Sequence, residues 1–373
     1  MSRRLIEHGS RLLYCKFPNP SRKSKIKVVK KILPWLIFII FAALVEAALL
    51  IQIEGFPKSI PGYSSPVITQ RSTSKSPEQK TISVFLVGDI MLNRGVEYMI
   101  ETQGAGDFKF PFLEIADELK GAKLLFGNLE GPISDKGSKV GSIYSFRAMP
   151  QTIEGLNFAG FDVLSLANNH AFDYGRAALE DTFLRLKNAD INYVGGGFNE
   201  SEAFSPIIKE INGMKIAFLA YTNLGPETWK AGENNSGIAW TNEDNFEKIK
   251  KDIKSAKEKA DILIVSLHSG EEYLKTPTQF QIDFSKMTID AGADLVVGHH
   301  PHVVQKNEKY PSTSSGQAGW IFYSLGNFVF DQGFSEETME GEILEVVIEN
   351  KEIKEIIPKE IKINNYFQPE IIL

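Results

Sequence analysis

The chain has 373 residues, 43% hydrophobic, 24% charged and 11% aromatic, the make-up of a packed globular protein rather than a disordered or fibrous one. Residues 1–31 hold ten Lys or Arg against a single acid, Glu7, which leaves 31 basic and 46 acidic residues and a net charge of −15 for the remainder. So acidic a body excludes nucleic acid as the expected partner, and the single cysteine, Cys15, excludes a disulfide framework.

In chain order, the basic segment 1–31 reads as a cytoplasmic tail, because residues 32–53 form a nearly unbroken apolar run. At about 1.5 Å per residue its 22 positions span a bilayer core of about 30 Å. Positive charge beside such a run stays on the cytoplasmic face, so the rest of the chain is expected outside the cell membrane, on a single pass. Glu46, the one charge in the run, is expected near the outer interface or protonated. Small residues at Ala42, Ala43, Ala47 and Ala48 would suit a cleavable signal peptide, but the length of the apolar and basic stretches favours an uncleaved signal anchor. Residues 54–80 are rich in Ser, Pro and Thr without apolar periodicity and read as a flexible linker.

From Thr81 to residue 373, short apolar strands alternate with amphipathic stretches. Strands are predicted at 82–87, 123–127, 162–166, 191–194, 206–211, 214–220, 261–267, 294–297, 320–324, 342–348 and 353–363. Helices are predicted near 93–102, 111–120, 151–159, 174–188, 243–259 and 278–291, and 311–319 reads as an exposed small-residue loop. Continuous apolar strands between helices imply sheets covered on both faces, an α/β body whose ligands collect at the C-terminal ends of strands.

That is where the chemistry-bearing residues fall. Five of the six histidines sit in three patches that follow apolar runs: His170 in LSLANNHAFDYG, His268 in ILIVSLHSGEEY, and His299, His300 and His302 in DLVVGHHPHVVQ. Asp89 in VFLVGDIMLNRG and Glu130 in LLFGNLEGPIS follow earlier strands in the same way. Singly, each has an ordinary explanation: a lone buried His is commonly a hydrogen-bonded packing residue, Asp89 could be a helix N-cap, and Glu130 could be a solvated loop charge. Together they supply the carboxylates and imidazoles of a divalent metal centre that activates water. Pro301 between His300 and His302 stiffens that pair for chelation.

The ordered motifs VGDIMLNRG, FGNLEGPIS, LANNHAFDYG, SLHSGEEY, GHHPHVVQ and YSLGNFVFDQ, covering about residues 82–333, resemble the CapA-type poly-γ-glutamate capsule-synthesis family, a branch of the calcineurin-like metallophosphoesterases. The resemblance implies a metallophosphatase-like four-layer α/β/β/α sandwich, one N-terminal membrane helix and one or two divalent ions; Mn, Zn, Fe and Mg are not distinguished. Carried over by residue, it implies metal ligation by Asp89, Glu130, Asn169, His268, His300 and His302, with His299 replacing His300 if the loop is registered differently. His170 would donate a proton to the leaving group or steady the phosphoryl oxygens, and Asp173 would orient it unless Asp173 caps the following helix. Arg94 either meets a substrate phosphate or carboxylate or is a solvated helix-start residue.

One departure stands out. Phosphoesterases carry Asp-x-His in the first motif, whereas this chain has Asp89-Ile90-Met91, and a thioether is a poor ligand for hard ions, so one metal position is expected to be weakened. Two functions follow from the resemblance: a metal-dependent phosphoesterase-like enzyme on an anionic polymer or phosphoester, or a non-catalytic scaffold that binds polymer for membrane-embedded synthase or export subunits. The chain has no Walker A loop for ATP-driven ligation.

Overall fold

The computed structural model describes residues 81–372 apart from 141–142, 313–315 and 317, so the predicted tail, membrane anchor and linker lie outside the described residues. Among the described residues no helix is long and apolar enough to cross a membrane.

Two mixed sheets stack face to face. The first is built on parallel strands β1 (Thr81–Ile90), β2 (Leu124–Leu129), β3 (Val163–Ser165) and β4 (Asn192–Val194). Antiparallel β14 (Glu340–Glu349), β15 (Glu352–Ile363) and β16 (Pro369–Ile371) extend it beyond β1, and short β13 (Asn327–Val329) pairs with the C-terminal end of β1. In the second sheet β7 (Met214–Thr222), β9 (Ile262–His268), β10 (Leu295–His299) and β12 (Ala318–Phe322) run parallel, with antiparallel β6 (Ile207–Ile211) and β11 (Asn307–Pro311) at the edges. A two-residue pair, β5 (Gly196–Gly197) with β8 (Gly237–Ile238), lies apart.

Alternation along the strands sorts the side chains into three cores. Ile82, Val84 and Leu86 of β1 meet Ile262 and Ile264 of β9 and Leu295 and Val297 of β10 between the sheets. Phe85 and Val87 point the other way, against helices α1 (Arg94–Thr102), α2 (Ala116–Leu119), α3 (Thr152–Ala159) and α4 (Arg176–Asn188). Leu263, Val265 and Val296 face α6 (Phe246–Lys257) and α7 (Gln279–Asp290) on the far side of the second sheet. The layers are therefore α/β/β/α; short α5 (Glu200–Ala203) lies beside the β5–β8 pair.

Helix ends follow local chemistry. Thr278 and Gln281 form a reciprocal capping box that starts α7 at the predicted point. The stretch 111–120 is broken instead, a 3₁₀ turn at Phe110–Phe112 followed by the one-turn α2. At the ends of the stretch expected as a loop, 311–319, Pro311 pairs with Ala318 across β11 and β12. Small strands β5, β8, β13 and β16 are too short for periodicity to reveal.

Candidate metal centre

Asp89 ends β1, Asn128 and Glu130 end β2, and Asn168, Asn169 and His170 follow β3, so the first sheet delivers one half of the site. The second sheet delivers His268 at the end of β9 and His299 to His302 at and after the end of β10. His268 and His299 are register partners on neighbouring strands, and Asp89 pairs with both Asn128 and Asn327, which brings distant segments to one point.

Nearly all of this is buried. Asp89, Asn128, His268, His299 and Asn327 are 0% exposed, and Glu130 and His302 are 2% exposed, so every charge here must be compensated. Asn128 Nδ2 donates to Asp89 Oδ1 at 2.8 Å and to His268 Nδ1 at 3.2 Å. With its Nδ1 accepting, His268 carries its proton on Nε2 and donates to Asn169 Oδ1 at 2.7 Å. Asn168 Nδ2 donates to Asn128 Oδ1 and to the Leu129 carbonyl, and its own Oδ1 accepts from the His170 backbone N–H at 3.1 Å.

His302 is aimed by Asn327. The Asn327 amide donates to Gln332 Oε1 and to the Thr338 carbonyl, which leaves its oxygen to accept from His302 Nδ1 at 2.9 Å. The other ring nitrogen, Nε2, then faces Glu130 Oε1 at 3.7 Å. His170 is held in the same manner: Nδ1 donates to Asp173 Oδ2 at 2.6 Å, Phe146 stacks on the ring with centroids 4.0 Å apart, and Nε2 lies 3.6 Å from Glu130 Oε1. Asp173 does not cap α4, whose N-cap is Gly175, so of its two expected roles it has the one beside His170.

Glu130 is the centre of this arrangement, and both of its carboxylate oxygens are buried without a hydrogen-bond partner. Burial pushes its carboxyl well above the usual range; the His302 charge counteracts this, while Asp89, Glu272 and Asp173 add to it. Burial opposes ionisation of Asp89 too, but the imidazoles of His299 and His302, 3.3 and 3.4 Å from its oxygens, hold it well below the carboxylate range. Burial, then the neighbouring imidazole of His302, pushes His300 down to about 3, and burial with His300 beside it lowers His268 well below its usual value. Both imidazoles are neutral at physiological pH; His300 Nδ1 has no partner, while His268 would give up one of its hydrogen bonds, to Asn128 or Asn169, on ligating an ion.

Donor atoms converge in two groups, each within 4.8 Å: Asp89, Glu130 and His268 in one, Glu272, His300 and His302 in the other. That spacing is about the separation of donors on opposite sides of one divalent ion, with bonds of roughly 2.0–2.6 Å. Three residues of the surrounding loops have left-handed backbones, Tyr273 (φ 67°), His300 (φ 97°) and His302 (φ 59°). Each costs on the order of 1–3 kcal/mol and persists only where tertiary contacts over-determine it.

His299 stands apart from both groups. It shares the inter-sheet face of Leu295 and Val297, its ring lies 6.3 Å from Phe126, and its Nδ1 approaches Asp89 Oδ1 at 3.3 Å without hydrogen-bond geometry. Arg94 is engaged elsewhere: Nε donates to Asp331 Oδ2 at 3.0 Å, a second guanidinium nitrogen pairs with Asp331 Oδ1, and the group lies 4.9 Å over Phe146. Its guanidinium is thus paired with Asp331 and touches the site through Phe146. Met91 Sδ accepts from the Asn93 backbone N–H at 3.2 Å and is turned back on its own loop. A groove of about 550 Å³ along the open edges β4 and β6, lined by Leu184, Tyr193, Phe198 and Glu202, shares no residue with the donor groups.

Sequence reasoning missed Asn128, Asn168, Glu272 and Asn327. All four lie inside the quoted motifs, but an amide that orients a ligand looks in sequence like any polar loop residue.

The profile of the family described as bacterial capsule synthesis protein PGA_cap matches residues 83–332. The chain belongs to this family. Members of known standing resemble it closely: it is 34% identical over 311 residues to the capsule biosynthesis protein CapA of Bacillus anthracis, covering 78% of this chain and 74% of that one. It is also 34% identical over 270 residues to the PGA biosynthesis protein CapA of Bacillus subtilis (strain 168), covering 70% and 68%. Among solved structures, a phosphatase of Mycoplasma pneumoniae covers 76% of this capsule-synthesis-family chain and 95% of its own at 16% identity, with a TM-score of 0.45. The NAD nucleotidase of Haemophilus influenzae covers 79% and 54% at 11% identity, with a TM-score of 0.44.

Proposed function

We propose that this chain acts in the biosynthesis or export of capsular poly-γ-glutamate as a membrane-anchored, extracytoplasmic protein with a metal-dependent phosphoesterase-like site for an anionic substrate, a phosphoester or a γ-glutamyl chain. The observation that carries this reading is Glu130: a buried carboxyl group with no hydrogen-bond partner, its Oε1 3.6 Å from His170 Nε2 and 3.7 Å from His302 Nε2, and close to further carboxylates. A buried carboxylate without a partner costs several kcal/mol, and a divalent ion held by Asp89, Glu130 and His268, with the Asn169 amide oxygen beside them, is what such a donor set fits.

A bound ion supplies Lewis acidity, drawing electron density from a substrate oxygen. His170 presents Nε2 to the same space while Asp173 accepts from Nδ1 and would stabilise the ring as an imidazolium, the form in which Nε2 can hand its proton to a departing oxygen and return to the neutral ring. Phe146 shields that pair on one face. The runner-up reading, a scaffold that holds polymer for membrane-embedded synthase or export subunits, draws on two observations: Met91 turns its sulfur away and Arg94 is already neutralised by Asp331.

His170→Ala separates the two readings. If the site is catalytic, the variant keeps its metal yet loses about 10²–10⁴ in rate on phosphoesters or γ-glutamyl peptides, and capsule polymer falls with it. Normal polymer yield from His170→Ala in cells, with loss only on deletion of the exported body, would establish the scaffold instead.

A further inference from the structure

Tyr273 lies on the loop after β9 with a left-handed backbone (φ 67°), a conformation that a bulky side chain takes up only where tertiary contacts demand it. Its backbone N–H donates to the Pro301 carbonyl at 2.8 Å, which ties the β9 loop to the one that carries His300 and His302. The ring is fixed on two sides: it packs edge-to-face with Phe334, centroids 5.1 Å apart, and lies 6.2 Å from the His302 ring. Tyr273 nevertheless remains 42% exposed, so burial of the ring is not what this placement achieves.

The hydroxyl end is supported from behind. Gln332 is 7% exposed and donates from Nε2 to the Tyr273 hydroxyl oxygen at 3.3 Å, while its own Oε1 accepts from Asn327 Nδ2 at 3.0 Å. Asn327 in turn accepts from His302 Nδ1, so one chain of hydrogen bonds runs from the donor group to the phenol. With Gln332 taking an acceptor position, the phenolic hydrogen points away from Gln332. Burial, then the Glu272 carboxylate beside it, with Tyr144 and Glu130 adding to them, pushes the phenol above its ordinary range, so it keeps its hydrogen at physiological pH. Glu272 is exposed and can turn to solvent, which frees that hydrogen for an entering group.

We propose that the Tyr273 hydroxyl contacts the substrate and donates a hydrogen bond to a phosphoryl oxygen of a phosphoester at the metal centre. The inference rests on the phosphoesterase reading above and deepens it by naming a side chain that holds the reacting group. A tetrahedral phosphoryl group presents several charged oxygens, and Arg94, the nearby guanidinium, is already paired with Asp331. His170 reaches the centre from the loop after β3, whereas Tyr273 reaches it beside His302, so the two donors come from different sheets. A hydrogen bond to a charged oxygen is stronger than one between neutral groups, and a donor pinned at both its backbone and its hydroxyl loses little entropy in making it.

The test uses the full chain, purified in detergent and loaded with Mn²⁺, as wild type and as Tyr273→Phe, which keeps the ring and removes only the hydroxyl. Each protein is titrated with Mn²⁺ and then with inorganic phosphate by isothermal calorimetry, and assayed on a phosphomonoester. Tyr273→Phe is expected to bind Mn²⁺ as wild type does, to bind phosphate about 10-fold more weakly and to lose at least as much in kcat/KM. Unchanged phosphate affinity would overturn the contact while leaving the metal-centre reading standing. A matching loss of Mn²⁺ affinity would overturn it too, because the hydroxyl would then act only as the acceptor that steadies Gln332, Asn327 and His302. A wild type that neither binds phosphate nor hydrolyses the ester overturns the phosphoesterase reading itself, and this inference with it.

Discussion

At the scale of single residues, the site depends on amides as much as on charges. Asn327 spends both of its N–H groups on Gln332 and the Thr338 carbonyl, so its oxygen can only accept, and this fixes which nitrogen of His302 faces Glu130. Asn327→Leu keeps the volume and removes the acceptor. It is expected to weaken metal binding about 10- to 100-fold, the usual cost of removing a group that orients a ligand, while leaving circular dichroism intact; isothermal titration with Mn²⁺ or Zn²⁺ measures it, and unchanged affinity would show that His302 is aimed by packing alone. Asn128 stands in a comparable place between Asp89 and His268. Neither amide could be picked out from the sequence, because the side chains they orient, Asp89, His268 and His302, lie 25 to 140 positions away rather than beside them.

At the scale of elements, β14 and β15 place like charges opposite each other: Glu342 pairs in register with Glu360. Burial, with the Glu360 charge adding to it, pushes the Glu342 carboxyl up to about 7. Its folded value therefore exceeds its unfolded one near 4.5, so the folded state binds the extra proton and stability falls as pH rises between those values. Above pH 7 the full penalty is present; below about 4.5 it is absent. Glu342→Gln is accordingly expected to raise stability by about 1 kcal/mol at pH 8, a figure discounted for the partial exposure of the pair, and by nearly nothing at pH 4.5. Thermal melts of both proteins across that range decide it, and an equal gain at both ends would assign the effect to packing. Close strand approach limits change elsewhere in the sheets: a Cβ at Gly298 of β10, next to the histidines, would lie 1.9 Å from the Tyr323 carbonyl oxygen.

At the scale of the molecule, the site belongs to neither sheet. Asp89 and Glu130 come from the first and His268, His300 and His302 from the second, so the inter-sheet core of Ile82, Val84, Leu86, Ile264 and Val297 sets the distance between the two halves. Under the proposed topology, this body stands outside the cell on an anchor at 32–53. Protease added to intact cells should then remove 81–373 and spare 1–31, and a mature protein starting near residue 50 would reveal a cleaved signal instead.

What the sequence determined by itself were the local and repetitive features: apolar strands such as ILIVSLH, helices such as the one predicted at 278–291, and the habit of placing Asp89, Glu130, His170, His268 and His300 at or shortly after the ends of strands. These are legible because burial on a pleated strand and satisfaction of helix ends are decided within a few residues. The capsule-synthesis motifs were legible for the same reason. Tertiary structure alone decided which atoms meet. Whether His299 or His300 joins the donors turns on the inter-sheet facing of β10, Asp173 meets His170 while Gly175 takes the cap, and Arg94 is paired with Asp331, 237 positions away. Tyr273 joined the site only because two strained loops are pinned together at Tyr273 and Pro301. Such pairings depend on strand order, register and twist summed over the whole chain, and no short window of sequence contains them.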